Sequence, residues 1–186
     1  MTALEAVADE LRCVYQNAYR WKWVILAMHS ALQGMMVLAL QGSDGLRVFR
    51  EEDAIRWMNA HESGGPYPDD LKLDKFLDLY KKIKSDIMLL NVNSKKFLPR
   101  GTQGRSIKLL NRLRNEFVHF TPRVFVLVLL GLPSMSIDCL EVMEFLAWHS
   151  NNVSWVDTEL SGRAKVAFDS MRTSLLALKS EYGSLG

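Results

Sequence analysis

Hydrophobic residues recur every three to four positions along most of the chain, which is the spacing of amphipathic α-helices. The pattern predicts helices over about residues 3–15, 19–41, 51–61, 68–90, 102–120, 136–149 and 157–181. Capping and breaking residues support these ends, such as Thr2 with Glu5 at the start and Gly42 after the second helix. Residues 123–132 are apolar and β-branched but have no partner strand, so we expect an extended connection there. The sequence therefore predicts an all-α helical bundle of about five to seven helices, forming a single domain over residues 1–186.

The composition is that of a folded protein in a reducing compartment. The chain is 48% hydrophobic and 24% charged, close to the average for globular proteins. Cys13 and Cys139 have no CxxC partner and no clustered histidines, so we expect no disulfide framework, no zinc site and no cofactor. The N-terminal segment is acidic and unlike a secretory signal, and Lys22 and His29 interrupt the apolar run of residues 21–40. We therefore expect a cytoplasmic protein with no membrane span.

Positive charge is concentrated in one segment, although the net charge of the chain is only +2. Residues 95–123 contain eight basic residues and one acidic residue, Glu116, which leaves 15 basic against 20 acidic residues elsewhere. A polar loop over residues 91–101 opens the segment and leads into the helix predicted over residues 102–120. A local positive field of this kind favours polyanion binding. The residues that we expect to contact a polyanion are Lys95, Lys96, Arg100, Arg105, Lys108 and Arg112.

The helix predicted over residues 102–120 has two different faces. One continuous polar stripe, with steps of 3, 4, 3 and 4 residues, contains Arg105, Lys108, Arg112, Asn115 and His119. The core-facing stripe contains Ile107, Leu110, Leu113, Phe117 and Phe120. Arg114 belongs to neither stripe, because about 100° per residue places it on the flank of the apolar face. It either pairs with a carboxylate of a neighbouring helix or reaches into a cleft that holds a phosphate.

The string Arg114-Asn115-Glu116-Phe117-Val118-His119 resembles the motif of the HEPN family. In that motif an Arg, usually followed by a polar residue, precedes a His by four to six positions near the end of a helix. The setting is also similar, since the chain reads as all-helical, has a long apolar helix early, and breaks the motif helix with Thr-Pro. The resemblance implies a metal-independent endoribonuclease that acts as a homodimer, with two motifs facing each other across the interface. The implied products are a 2′,3′-cyclic phosphate and a 5′-hydroxyl.

The resemblance also implies a role for each motif residue. His119 moves a proton near neutral pH, and Arg114 stabilises the charge that develops on the phosphorane. Asn115, one turn before His119, orients the imidazole or binds the phosphate. In HEPN toxins paired with nucleotidyltransferase antitoxins, a Tyr two residues after the His is modified, but here Phe120-Thr121 follows His119. Such regulation is not expected, and any antitoxin of a toxin or phage-defence effector is a separate protein.

Two other interpretations fit the same residues. The chain could be a non-catalytic HEPN-like module that binds RNA or a nucleotide, or a helical interaction scaffold. We interpret His29 as a hydrogen-bonded core or interface residue, and His61 and His149 as surface or capping residues. The candidates for stacking on bases are Tyr67, Trp57 and Trp155, although isolated aromatic residues pack in a core more often than they form a stacking platform. Loss of cleavage with retained RNA binding in His119→Ala would distinguish the nuclease from the non-catalytic module.

Overall fold

The computed structural model describes residues 2–119 and 128–184. Within those ranges the chain forms seven α-helices and no β-strand, which confirms the predicted all-α class. The helices are α1 (Thr2–Val14), α2 (Trp21–Leu40), α3 (Glu51–Ser63), α4 (Phe76–Lys82), α5 (Gln103–Val118), α6 (Leu132–Glu144) and α7 (Thr158–Gly183). Short 3-10 turns lie at Ala18–Arg20, Leu46–Val48 and Asp86–Met88, and a π-helical turn, Phe145–His149, follows α6.

Local sequence signals account for several helix ends. α7 begins after Asp157, whose carboxylate accepts a hydrogen bond from the Glu159 N–H at 2.7 Å. α3 ends at Ser63 and is followed by Gly64, which has a φ of 65° and so uses the left-handed conformation that glycine adopts without steric penalty. α5 ends at Val118, two residues earlier than expected, because His119 has extended backbone and lies just past the helix. The Thr121-Pro122 pair and residues 123–127, the first half of the predicted extended connection, lie outside the described residues.

The prediction of one helix over residues 68–90 is wrong at its N-terminal end. Leu73 forms an antiparallel bridge with Phe49, and the Asp74 N–H donates to the Val48 carbonyl at 2.9 Å. These backbone groups are satisfied by a distant segment instead of by a helical turn. Pairing with another part of the chain therefore determines the backbone conformation here.

The same helix prediction is also wrong at its C-terminal end. The carbonyl of Ile83 accepts a hydrogen bond from the Phe97 N–H at 2.9 Å. Continuing the helix would require that carbonyl to accept from the residue four positions later. The chain instead turns, and Ile87 is 44% exposed.

The start of α6 differs from the prediction as well. The helix begins at Leu132, with Pro133 in its first turn, where a missing N–H costs nothing and the fixed φ suits the helix. Ser136, where the sequence predicted this helix to begin, lies inside it and is fully buried. The helix therefore begins where Pro133 fits its first turn, and not at Ser136.

Contacts group the chain into two compact units, which we call unit 1 and unit 2. Unit 1 comprises Met1–Leu32, Pro99–Phe145 and Ser154–Gly186. In it α1 packs on α7, α7 packs on α6, and α6 packs on α5. Its core includes side chains that are at most 3% exposed: Leu4, Leu11, Ile25, Ile107, Leu110, Leu140, Phe168 and Met171.

Unit 2 comprises Gln33–Leu98 and Leu146–Val153. It contains the second part of α2, α3, α4 and long connecting loops. Lys82 ties one of these loops down, since its Nζ lies 2.8 Å from the Asp74 carboxylate and donates to the carbonyl of Phe49 at 2.7 Å. Hydrogen bonds and an ion pair thus help to hold the irregular segments of this unit in place.

The segment Ala18–Leu40, which contains α2, is long and apolar enough to cross a bilayer by length and composition. Its most apolar 18-residue window has a mean hydropathy of 1.7, and 56% of that window is buried inside the structure. The buried positions recur at helical spacing: Trp21, Val24, Ile25, Met28, Leu32, Met36 and Leu40. This periodic burial is typical of a core helix.

Candidate nucleic-acid interface on α5

The two faces predicted for α5 are present, with one exception. Three cations at helical spacing are exposed: Arg105, Lys108 and Arg112. Three apolar side chains on the opposite face are at most 6% exposed: Ile107, Leu110 and Leu113. Phe117, expected to continue the apolar face, is only half-buried, and Phe120 lies outside the described residues. The apolar face is therefore covered mainly along the first three turns of the helix.

The cations of α5 are not neutralised within the described part of the chain. None of its four basic side chains forms an ion pair with a described residue: Arg105, Lys108, Arg112 and Arg114. Eleven ion pairs join other Lys and Arg residues to carboxylates in the same ranges. Positive charge on this helix is therefore available to a ligand.

The neighbouring carboxylates on α6 accept hydrogen bonds from neutral groups of α5 and of Thr102, the residue just before it. One oxygen of Asp138 accepts hydrogen bonds from the hydroxyls of Thr102, at 2.6 Å, and Ser106, at 2.5 Å. Glu141 accepts from the Gln103 side-chain amide at 2.7 Å. These bonds fix the rotation of α5 against α6 without consuming any of its cations. The exposed basic face follows from that rotation.

The structure brings two of the three predicted catalytic residues into direct contact. Arg114 is half-buried, and its Nη1 donates a hydrogen bond to Asn115 Oδ1 at 3.0 Å. The backbone N–H of His119 donates to the Asn115 carbonyl at 2.9 Å. The His119 side chain is exposed and makes no hydrogen bond or ion pair with another residue in the described ranges. Arg114 and Asn115 are thus positioned together, while the imidazole of His119 stays open to a partner.

A further histidine lies beside the motif, which the sequence analysis did not link to it. His29 of α2 is 5% exposed, and its Nε2 lies 3.3 Å from Oδ1 of Asn111, one turn before Arg114 on α5. Burial lowers the pKa of His29 to about 4, the Asn111 hydrogen bond opposes that change, and the charge of Arg114 adds to it. His29 is therefore neutral at physiological pH, which confirms the hydrogen-bonded core interpretation. A polar residue inside an apolar helix was the available signal, but its partner is 82 positions away.

The remaining predicted polyanion contacts divide between the two units. Arg100 lies in unit 1, where its backbone N–H donates to the Gln103 side chain at 2.8 Å. Lys95 and Lys96 lie in unit 2. Lys96 Nζ is 2.8 Å from the Asp86 carboxylate, so its charge is already compensated. Lys95 and the Arg100 guanidinium form no ion pair with a described residue.

An aromatic cluster lies at the end of α3 in unit 2. Tyr67 is 53% exposed, so it does not pack in the core. Its hydroxyl lies 2.8 Å from His61 Nδ1, and both rings stack on Trp57 with centroid distances of 5.0 and 5.3 Å. The cluster holds the segment after α3 against that helix. His61 is a surface residue, as predicted.

No group of three or more His, Cys, Asp or Glu side chains is placed to hold a metal ion among residues 2–119 and 128–184. Comparisons with protein-family models, with curated proteins and with solved structures find nothing that matches the chain. Its function is therefore inferred from the geometry of its own residues together with the motif resemblance.

Proposed function

We propose that this chain is a metal-independent endoribonuclease of the HEPN type, acting in the cytoplasm. The observation that carries the proposal is the exposed face of α5, on which Arg105, Lys108 and Arg112 lie at helical spacing without a carboxylate partner in the described ranges. An RNA backbone supplies the complementary charge, and its phosphates gain from release of condensed counterions. The HEPN-like motif lies at the end of that same face.

The motif residues can share the chemistry of transesterification. The ribose 2′-oxygen attacks the adjacent phosphorus, the bond from phosphorus to the 5′-oxygen breaks, and the 5′-oxygen takes up a proton. Arg114 uses one of its five N–H donors on Asn115 and keeps the others for the phosphate oxygens. His119 moves the proton, since imidazole can gain or lose one near neutral pH. The products are a 2′,3′-cyclic phosphate and a 5′-hydroxyl.

We extend the proposal to the assembly that the resemblance implies. A single His119 cannot remove one proton and deliver another in the same step, whereas two copies provide a base and an acid. We propose a homodimer in which the two motifs face each other across the interface. A toxin or phage-defence role, with any antitoxin as a separate protein, is part of the same proposal.

A second candidate is a non-catalytic module that binds RNA through α5. It is favoured by one observation: the His119 imidazole forms no hydrogen bond or ion pair with Arg114 or any other side chain in the described ranges. The two candidates differ in one variant. If the chain is a nuclease, His119→Ala loses cleavage and keeps RNA affinity. The control is His149→Ala, because His149 is an exposed histidine outside the motif, and this variant should leave cleavage and RNA affinity unchanged. Binding without cleavage by the wild type would favour the module, and absence of binding would favour a helical scaffold.

A further inference from the structure

Unit 2 contains a polar cavity of about 770 Å³, shallow and open to solvent on the protein surface, that the proposed function does not use. Its volume lies in the range of small-molecule sites, about 300–1,000 Å³. The lining residues are Asn91, Val92, Asn93, Ser94, Lys95 and Asn151. The lining includes three amide side chains and one ammonium group but no carboxylate. This is the donor set for a ligand that carries an anion and hydrogen-bonding edges.

The loop that lines the cavity is held in place by a half-buried polar network. Ser94 Oγ accepts the N–H groups of Leu90 and Asn91, at 3.1 and 2.9 Å, and donates to Asn152 Oδ1 at 2.6 Å. The amide of Asn152 in turn donates to the carbonyls of Ala39 and Met88, at 2.9 and 2.7 Å. The walls are therefore preorganised, which lowers the entropy cost of binding a ligand.

The three cavity asparagines are positioned by hydrogen bonds that use only part of their capacity. Asn151 has a φ of 61°, and its Nδ2 donates to the Asn93 carbonyl at 2.8 Å. Asn91 Oδ1 accepts the Asn93 N–H at 2.9 Å. The Asn151 oxygen, the Asn91 amide nitrogen and the Asn93 side-chain amide have no partner among the described residues. These groups remain available to a ligand.

Lys95 supplies the only positive charge of the cavity lining. Its backbone is fixed, because its N–H donates at 2.9 Å to the carbonyl of Ser150, a fully buried residue. Its ammonium group forms no ion pair with a described residue, in contrast to the adjacent Lys96, which pairs with Asp86. A single uncompensated ammonium group suits one phosphate group.

We propose that this cavity binds one nucleotide, with its phosphate at Lys95 and its base or ribose at the asparagine amides. An amide offers a donor and an acceptor side by side, which matches the edges of nucleobases, and protein recognition of single-stranded RNA uses such edges. The chemistry of the ligand is that of a nucleoside 5′-monophosphate. It can come from a free nucleotide or from an unpaired nucleotide of an RNA chain. The site does not depend on cleavage at α5.

The test is calorimetric titration of the full chain with the four ribonucleoside 5′-monophosphates, adenosine, inorganic phosphate and single-stranded RNA tetranucleotides. The variants are Lys95→Gln and Asn151→Gly, of which the second keeps the left-handed backbone, since glycine adopts it freely. Lys72→Gln is the control, because Lys72 is an exposed cation of unit 2 outside the cavity. We expect Lys95→Gln to weaken binding at least about tenfold, Asn151→Gly to weaken it several-fold, and the control to bind as the wild type does.

The two sources of the ligand give different results. Binding of a monophosphate alone assigns the cavity to a free nucleotide, and binding of tetranucleotides only, with the same variant sensitivity, assigns it to RNA. The proposal is overturned if neither binds, or if Lys95→Gln and Lys72→Gln have equal effects. Arg114→Ala is measured as well. If this variant loses cleavage but binds the nucleotide as the wild type does, the cavity and the α5 site act independently.

Discussion

Arg114 donates a hydrogen bond from Nη1 to the side-chain Oδ1 of Asn115, its neighbour on α5, at 3.0 Å. Adjacent residues of a helix point about 100° apart, so this contact requires the long arginine side chain to bend toward the next position. The amide oxygen then orients the guanidinium without neutralising it. This pair is the best-defined part of the candidate active site.

Replacing Asn115 tests whether the free charge of Arg114 matters. Asn115→Ala removes the orienting acceptor, whereas Asn115→Asp places a carboxylate where it can form an ion pair with the guanidinium and compete with phosphate. We expect cleavage to fall several-fold in the first variant and at least about tenfold further in the second. Single-turnover cleavage rates of the two variants are the measurement. Equal rates would show that the charge of Arg114 is not used.

The exposed cations of α5 should determine the salt dependence of RNA binding. Each phosphate contact to a single strand contributes about 0.7 to the slope of log K against log salt concentration. The triple variant Arg105→Gln, Lys108→Gln and Arg112→Gln should therefore reduce that slope by about 2. Fluorescence anisotropy with a single-stranded RNA at several salt concentrations measures it.

The control for that experiment is Lys165→Gln on α7, an exposed cation that has no ion pair in the described ranges. Its slope should equal that of the wild type. A similar loss in the triple variant and the control would mean that RNA is attracted by the overall charge of the chain and not by α5.

The buried His29 should make stability depend on pH. Its pKa is lowered from 6.5 to about 4 in the folded state, so between these values the unfolded chain binds a proton that the folded chain does not. The contribution of neutral His29 to the free energy of unfolding is fully present above pH 6.5. Up to about 3 kcal/mol of it is lost as the pH falls toward 4. Urea unfolding at pH 7 and pH 5 should show a smaller decrease in His29→Gln than in the wild type. His149→Gln should behave as the wild type, and an equal decrease in all three proteins would contradict the assignment.

The same histidine can report on Arg114. Because the charge of Arg114 contributes to the lowered pKa of His29, Arg114→Ala should raise that pKa. An NMR titration of the His29 ring protons measures the change, and Arg112→Ala, an exposed cation on the same helix, provides the comparison. No difference between the two variants would place Arg114 too far from His29 to matter.

Asp138 should hold α5 in its orientation. Asp138→Ala leaves the hydroxyls of Thr102 and Ser106 without their shared acceptor, which should lower the free energy of unfolding by about 1–3 kcal/mol. Asp169→Ala, at an exposed position of α7, is the matched control and should change stability by less than about 0.5 kcal/mol. Chemical unfolding compares them, and equal stabilities would mean that the two hydroxyl bonds do not anchor the helix.

Local periodicity predicted much of this fold and less of the site. It placed α1, α2, α3, α5 and α7 and the exposed cations of α5 correctly, because these depend on spacing and caps within one segment. It failed for residues 68–75, where Leu73 pairs with Phe49, because that pairing joins segments distant in sequence. The hydrogen bond between His29 and Asn111 could not be predicted from the sequence pattern for the same reason. Long-range hydrogen bonds are not encoded in the pattern of a single helix.

The central claim is tested most directly by incubating the purified chain with a mixed RNA pool in EDTA and analysing the ends of any products. The account predicts cleavage that persists in EDTA, leaves 2′,3′-cyclic phosphate and 5′-hydroxyl ends, and disappears in Arg114→Ala and in His119→Ala but not in His149→Ala. Cleavage that EDTA abolishes, products with other ends, or full activity in either motif variant would contradict it.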